Sequence, residues 1–201
     1  AAPAPVPAAV IKAKAPKAAP AKTAPLPERA IGKSSAPVKI DEYSSLTCSH
    51  CADFFLKTLP EIQKRYVDTG KVRIVMHDFP LNGISLKAAA VAHCMPEDVY
   101  FPFIKTLYGA LEGGALDSTN FEATLYQYAA LGGLPVDKAK ACAADTKLQD
   151  AIVADRTQAS TKYGIEATPT FVINNGADII NGAVSIDTFA AAIERQLTAK
   201  K

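Results

Sequence analysis

Apolar and polar residues alternate, then cycle, then alternate again along the chain. Val38, Ile40 and Tyr43 predict a strand of about six residues that ends in Ser44-Ser45. Cys51, Phe55, Leu59, Ile62 and Tyr66 then recur at spacings of four, four, three and four, which puts them on one face of a helix. Gly70 stands where a C-cap glycine belongs. Lys71 to His77 alternates as a second strand, with Val72, Ile74 and Met76 on one side. A long helical stretch follows. Thr119 and Glu122 fit a capping box for one of its helices, Gly132-Gly133 ends that helix, and Pro135 suits the first turn of the next. Gly164 closes the helical stretch. Thr170 to Ile173, the Asn174-Asn175-Gly176 turn and Asp178 to Ile180 then predict a β-hairpin. Ile186, Phe189, Ile193 and Leu197 form a last amphipathic helix, entered through Ser185.

The order βαβ, helical block, ββα predicts an α/β fold: a small mixed sheet flanked by helices, with an all-helical subdomain inserted into it. The expected boundaries are 36–83 and 165–201 for the α/β unit and 84–164 for the insertion. Residues 1–35 differ in composition and hold seven of the fourteen prolines amid Ala and Lys. Proline at that density denies a helix its donors and leaves little to bury, so a disordered tail is expected. It could space the domain from a membrane anchor, bind anionic surfaces through its lysines, or have no specific role. The chain starts with Ala1 rather than Met, as a processed or a trimmed chain would.

Charge narrows the partners. Lys12, Lys14, Lys17, Lys22 and Arg29 against Glu28 make the first thirty residues basic and leave the rest slightly acidic, so nucleic acid is not expected. No apolar run approaches the roughly 20 residues of a membrane span. The cysteines say more. Cys48 and Cys51 form a C-x-x-C, while Cys94 and Cys142 lie far apart. That is compatible with one catalytic and one structural disulfide, and a structural disulfide requires an oxidising, exported compartment.

Helical phase assigns the close pair unequal places. Cys51 falls on the apolar stripe, whereas Cys48 precedes the helix, where roughly half a positive charge and free N–H groups favour a thiolate. His50, between them, can add positive charge beside the sulfur. Cys48 would then exchange with substrate and Cys51 would resolve the mixed disulfide. Half a zinc site reads the same way, but a second close pair or a spaced His pair is missing, so no metal is expected. A purely structural Cys48–Cys51 disulfide would close too small a ring to stabilise much.

Strand, C-x-x-C, helix, strand, helical insertion, then Thr168-Pro169-Thr170 before a terminal hairpin and helix resembles the thioredoxin-fold DsbA family over about residues 36–199. Ala36-Pro37-Val38 leading to Glu42-Tyr43-Ser44 and Cys48-Ser49-His50-Cys51 is similar to that family's first strand and active-site loop. The resemblance implies a protein dithiol oxidase whose reactive group is its own Cys48–Cys51 disulfide, without a separate cofactor. It implies that His50 marks a strong oxidant and that Glu42 relays a proton to or from Cys51. The plain alternative makes Glu42 an ordinary polar strand residue. Asp41, next to it, must face the other side of the strand. Thr168-Pro169 matches the family's cis-proline loop, where the backbone of Thr168 would pair with a substrate strand. Threonine rather than valine before this proline departs from the enteric oxidants.

The implied partners are reduced, unfolded exported proteins and a membrane quinone-linked re-oxidising protein of the DsbB type, with the protein itself a periplasmic or otherwise exported monomer. A disulfide isomerase or reductase on the same fold, or a non-catalytic peptide-binding module, are the rival readings. Cys94 and Cys142 are expected to tie two helices of the insertion, against free buried cysteines or a regulatory pair as alternatives. Tyr100, Phe101, Phe103 and Tyr108 are expected in the insertion's core. His77 and His93 are expected to be ordinary strand and helix residues.

Overall fold

The computed structural model describes residues 25–116 and 119–199. Five strands form one mixed sheet in the order β1-β3-β2-β4-β5. They are β1 (Arg29–Ile31), β2 (Val38–Ser44), β3 (Val72–Asp78), β4 (Thr170–Ile173) and β5 (Asp178–Asn181). Only the β2/β3 pair is parallel, with Glu42 beside Met76 and Ser44 beside Asp78. The helices are α1 (Ser49–Asp53), α2 (Leu59–Ile62), α3 (Gly83–His93), α4 (Glu97–Glu112), α5 (Phe121–Leu131), α6 (Val136–Ala143), α7 (Thr146–Tyr163) and α8 (Ile186–Ala199). This is the thioredoxin-like arrangement expected.

Strand alternation sorts the sheet's two faces. Val38, Ile40, Phe171 and Ile173 join one core with Phe54, Ile62 and Phe189, whereas Tyr43 and Val172 join Phe79, Ala159 and Ile165 on the α7 side. Phe54 packs against Phe171 and Phe189, with ring centroids 4.3 and 5.3 Å away, and those two rings are 4.8 Å apart. The first core runs without interruption into the helical block through Tyr100, Phe103, Leu107 and Tyr108. The insertion therefore shares its core with the sheet.

Between Ser49 and Val67 the helix is not uniformly α. Phe54–Thr58 and Gln63–Val67 are π-helical, with Leu59 N–H bonded to Phe54 O. Pro60 lies just after the first of these. It has no N–H to donate, and the preceding turn widens around that gap. Cys51, Phe55, Leu59, Ile62 and Tyr66 are nevertheless all buried, as the spacing predicts, and Phe54 joins them.

Two local expectations are corrected. Residues 29–31, assigned to the tail by composition, form β1 and pair antiparallel with β3, Arg29 opposite Met76. Gly32 follows at φ +95°, and a Cβ there would come within 2.6 Å of Val72 O, so the turn needs glycine. Residues 1–24 of the expected tail lie outside the described residues. The expected capping box is not formed at the N-cap of α5, which makes no side-chain cap hydrogen bond. Asn120, not Thr119, occupies the N-cap of α5, and the Glu122 carboxylate pairs instead with Lys87. Elsewhere the turn chemistry holds: Gly164 caps α7 in the left-handed conformation, and Ser185 Oγ accepts from Thr188 N–H at 3.4 Å. Cys94 and Cys142 are joined by a disulfide that ties the end of α3 to α6.

Candidate active site

Cys48 is the N-cap residue of α1, in extended conformation, at the end of the loop that leaves β2. Its Cα turns the chain into the helix, so its side chain meets the backbone N–H groups of the first turn. Cys48 is partly exposed and Cys51 fully buried, and both are thiols in this structure. The Cys48 thiol is lowered to about 5, first by a hydrogen bond from the Cys51 thiol, against the opposing effect of burial. Thr168 and the backbone N–H groups of Cys51 and His50 lower it further. Cys51 moves the other way. Burial, then the neighbouring Cys48 sulfur, push its pKa far above that of a free thiol. Ser45 N–H donates to Cys51 Sγ at 3.5 Å.

The loop before β4 completes the site. The Thr168-Pro169 peptide is cis, and Cys48 Sγ donates to Thr168 O at 3.5 Å. The Thr168 hydroxyl is buried without a partner at hydrogen-bond distance among the described residues, yet is near enough to favour the Cys48 thiolate. Thr170 Oγ1 donates to Ala167 O at 2.8 Å and Gly182 N–H to Pro169 O at 2.8 Å, which hold the loop against the hairpin. On the other flank, Asn82 Nδ2 donates to Thr47 Oγ1 at 3.5 Å.

His50 is placed differently from expectation. Its imidazole is exposed and lies 4.0 Å from the Asp53 carboxylate, and what it offers Cys48 is its backbone N–H. Glu42 is buried on the face of β2 that carries Ser44, and burial pushes its carboxyl up to about 7. Ser44 and the charge of His77 pull it back. Glu42 Oε1 has no hydrogen-bond partner among the described residues.

Asp41 faces the opposite side, as alternation requires. There it accepts from His77 Nε2 at 2.8 Å, while His77 Nδ1 lies 3.2 Å from Asp155. Burial disfavours the imidazolium, but Asp155 and Asp41 outweigh it and raise His77 to about 9. Lys39, Lys162 and Tyr163 help line a polar cleft of about 190 Å³ around this cluster, on the side of the sheet away from Cys51. His93 is likewise engaged, through Asp78 at 2.7 Å and through its carbonyl to Arg29 at 3.1 Å. Of the aromatic set, Tyr100, Phe103 and Tyr108 are buried and Phe101 half-buried. Sequence reasoning did not find Ser44 and Tyr108 as neighbours of the thiols, nor the Asp41–His77–Asp155 cluster. Among the described residues no group of three His, Cys, Asp or Glu side chains could hold a metal, and no helix is long and apolar enough to cross a membrane.

Residues 25–195 match the family model described as Thioredoxin. A Rickettsia felis protein named as a protein-disulfide oxidoreductase is 27% identical over 171 residues, which cover 85% of this chain and 60% of that protein's length. The chain thus spans about 60% of the length of this relative. The crystal structure of Wolbachia pipientis α-DsbA1 superposes with a TM-score of 0.76 at 31% identity, covering 88% of this chain and 96% of the other. Oxidised BdbD of Bacillus subtilis superposes at 0.74 with 23% identity, covering 85% and 93%, and shares the fold. The chain belongs to the thioredoxin family, as a DsbA-like member.

Proposed function

We propose that the protein is a dithiol oxidase that donates a Cys48–Cys51 disulfide to reduced, unfolded exported proteins. One observation carries the reading: the two thiols of one C-x-x-C are driven in opposite directions, Cys48 to about 5 and Cys51 far upward. A thiol with a pKa near 5 is almost wholly thiolate at neutral pH. Stabilising that thiolate stabilises the dithiol form, which makes the disulfide a better oxidant.

In the cycle, a client thiolate attacks Cys48 Sγ, the Cys48–Cys51 bond breaks, and its electron pair leaves on Cys51 Sγ, which takes a proton. A second client thiolate attacks the client sulfur of the mixed disulfide and releases Cys48 as the stabilised thiolate. The client is oxidised by two electrons and the protein reduced by two. The geometry supports attack at Cys48, since it is the accessible sulfur, and its stabilised thiolate is a good leaving group when the mixed disulfide is resolved. The backbone around Thr168, beside Cys48, is suited to align a client segment as an added strand. Re-oxidation would fall to a membrane quinone-linked protein of the DsbB type, in a periplasmic or other oxidising exported compartment, with this protein acting as a monomer.

The test is the equilibrium of the Cys48–Cys51 couple with glutathione. Strong oxidants of this fold lie near about −120 mV and thioredoxin near about −270 mV. A value toward the oxidising end is expected, with loss of client oxidation in Cys48→Ala. A thioredoxin-like value assigns the protein to the reductases, an intermediate value to the isomerases. Unchanged peptide affinity without turnover assigns it to the binding modules.

A further inference from the structure

The chain leaves β2 through two buried serines, and the peptide group between them is bonded at both ends. Its carbonyl oxygen, Ser44 O, accepts from Phe79 N–H at 2.7 Å, and its Ser45 N–H donates to Cys51 Sγ at 3.5 Å. A peptide that accepts at one end and donates at the other is polarised by both bonds. Cys51 is fully buried, which withdraws solvent from its sulfur and leaves this fixed dipole beside it. A residue of the helical insertion holds the dipole in place. Tyr108 of α4 donates its hydroxyl proton to Ser45 O at 3.3 Å and accepts the Ser44 hydroxyl proton at 2.9 Å. One bond falls on the side chain before the Ser44–Ser45 peptide and the other on the carbonyl after it, so together they restrict rotation of the peptide plane. Cys48 N–H shares Ser45 O at 3.1 Å. Tyr108 is itself fixed: it is fully buried, and its ring sits 5.4 Å from that of Phe55, on the helical run that carries Cys51. Burial also raises its pKa well above that of a free phenol, so the hydroxyl remains a donor.

We propose that Ser45 N–H is the group that stabilises negative charge on Cys51 Sγ during exchange, and that Tyr108 is the positioning residue that aims it. This deepens the thiol–disulfide exchange reading above and rests on it. When a client thiolate attacks Cys48 Sγ, the Cys48–Cys51 bond breaks and its electron pair arrives on Cys51 Sγ, which then takes a proton. On re-oxidation Cys51 gives up that proton, its sulfur attacks Cys48 Sγ of a mixed disulfide, and the partner thiolate leaves. Charge passes through Cys51 Sγ in both directions, and a donor already aimed at that sulfur needs no reorganisation to meet it. The insertion thus reaches the reacting atoms through Tyr108 and the corner that ends β2.

The experiment separates the two sulfurs. Reduced protein is mixed by stopped flow, at neutral pH, with an excess of a nitrobenzoate disulfide whose released thiolate is yellow. Attack by Cys48 releases the first equivalent. Attack by Cys51 on the resulting mixed disulfide releases the second, at a rate independent of reagent concentration. Removing a preorganised donor outright costs on the order of a hundredfold or more, and misaiming one costs part of that. Tyr108→Phe should therefore slow the second release by about fivefold or more and leave the first within about twofold. Ser44→Ala, which removes the other bond to Tyr108, should slow the second release in the same selective way. The double variant should fall short of the product of the two effects, since both act on one peptide. Should Tyr108→Phe not fold, Ser44→Ala carries the test alone. A second release within about twofold of the unaltered protein's, or both releases slowed by the same factor, overturns the proposal. A thioredoxin-like equilibrium with glutathione overturns the oxidase reading alone, because Cys51 resolves the mixed disulfide whichever way electrons flow. Release of a single equivalent by the unaltered protein overturns both.

Discussion

The Cys48 thiol lies 3.5 Å from the carbonyl oxygen of Thr168, across 120 residues of sequence. The two meet because β4 pairs with β2, with Thr170 opposite Tyr43, so the loop before β4 arrives beside the loop after β2. The carbonyl can accept from a thiol but can only repel a thiolate. The neighbouring Thr168 hydroxyl can donate to the thiolate and so favours it. Thr168→Val removes that hydroxyl, so the Cys48 pKa should rise from about 5. A single hydrogen bond to a charged group limits the rise to about one unit. Thiolate absorbance at 240 nm against pH measures it, and a fall would refute the hydroxyl's role.

Glu42 should make the protein less stable as pH rises. Its carboxyl titrates near 4.5 in the open chain and at about 7 when folded, so the folded state holds the extra proton between those values. Stability therefore declines from about pH 4.5 to 7, by on the order of 3 kcal/mol in all. Glu42→Gln should flatten this decline and leave the protein more stable at pH 8. Urea midpoints of the reduced protein at pH 4, 6 and 8 check it.

His77 acts with the same sign at higher pH. Its folded pKa of about 9 lies above the ordinary 6.5, so the stabilisation is complete below pH 6.5 and lost as pH passes 9. The expected size is on the order of 2–3 kcal/mol. His77→Gln should lower stability at pH 6 and barely change it at pH 10, measured by denaturant unfolding. Equal losses at both pH values would assign His77 a packing role only.

Removing the Cys94–Cys142 disulfide frees a loop spanning 48 positions. Loop-closure entropy then predicts a loss of up to about 4 kcal/mol for the Cys94→Ala/Cys142→Ala double variant. The bond lies in the helical block, away from Cys48, so the glutathione equilibrium of the Cys48–Cys51 couple should not shift by more than about twofold. Thermal unfolding and that equilibrium together separate a structural bond from a regulatory one.

What was legible in the sequence is what depends on local periodicity. Helical phase set Cys51 inside and Cys48 at the cap, and strand phase put Asp41 and Glu42 on opposite faces. Three features escaped for different reasons. β1 is three residues long and buries an arginine, so neither hydrophobic alternation nor composition marks it. Asp41, His77 and Asp155 come together only through tertiary packing, and no residue of the three carries the signal alone. Tyr108 reads as core from its apolar neighbours, and nothing in its own helix tells that its hydroxyl reaches Ser44. His50 shows the limit even at close range, because its imidazole is exposed and what it offers Cys48 is its backbone N–H.

The sheet's margins have a consequence for the company this protein keeps. Its outer strands, Arg29–Ile31 and Asp178–Asn181, are three and four residues long, and β1 is fastened down by Arg29 on one side and by the Arg73–Glu28 pair on the other. An unfolded chain is rich in unpaired strands that add to any long open border. Borders this short give such a chain little to zip onto. For the oxidase proposed above, a client that cannot settle along the rim would be left to engage at the thiols, and would depart once its own sulfurs were joined.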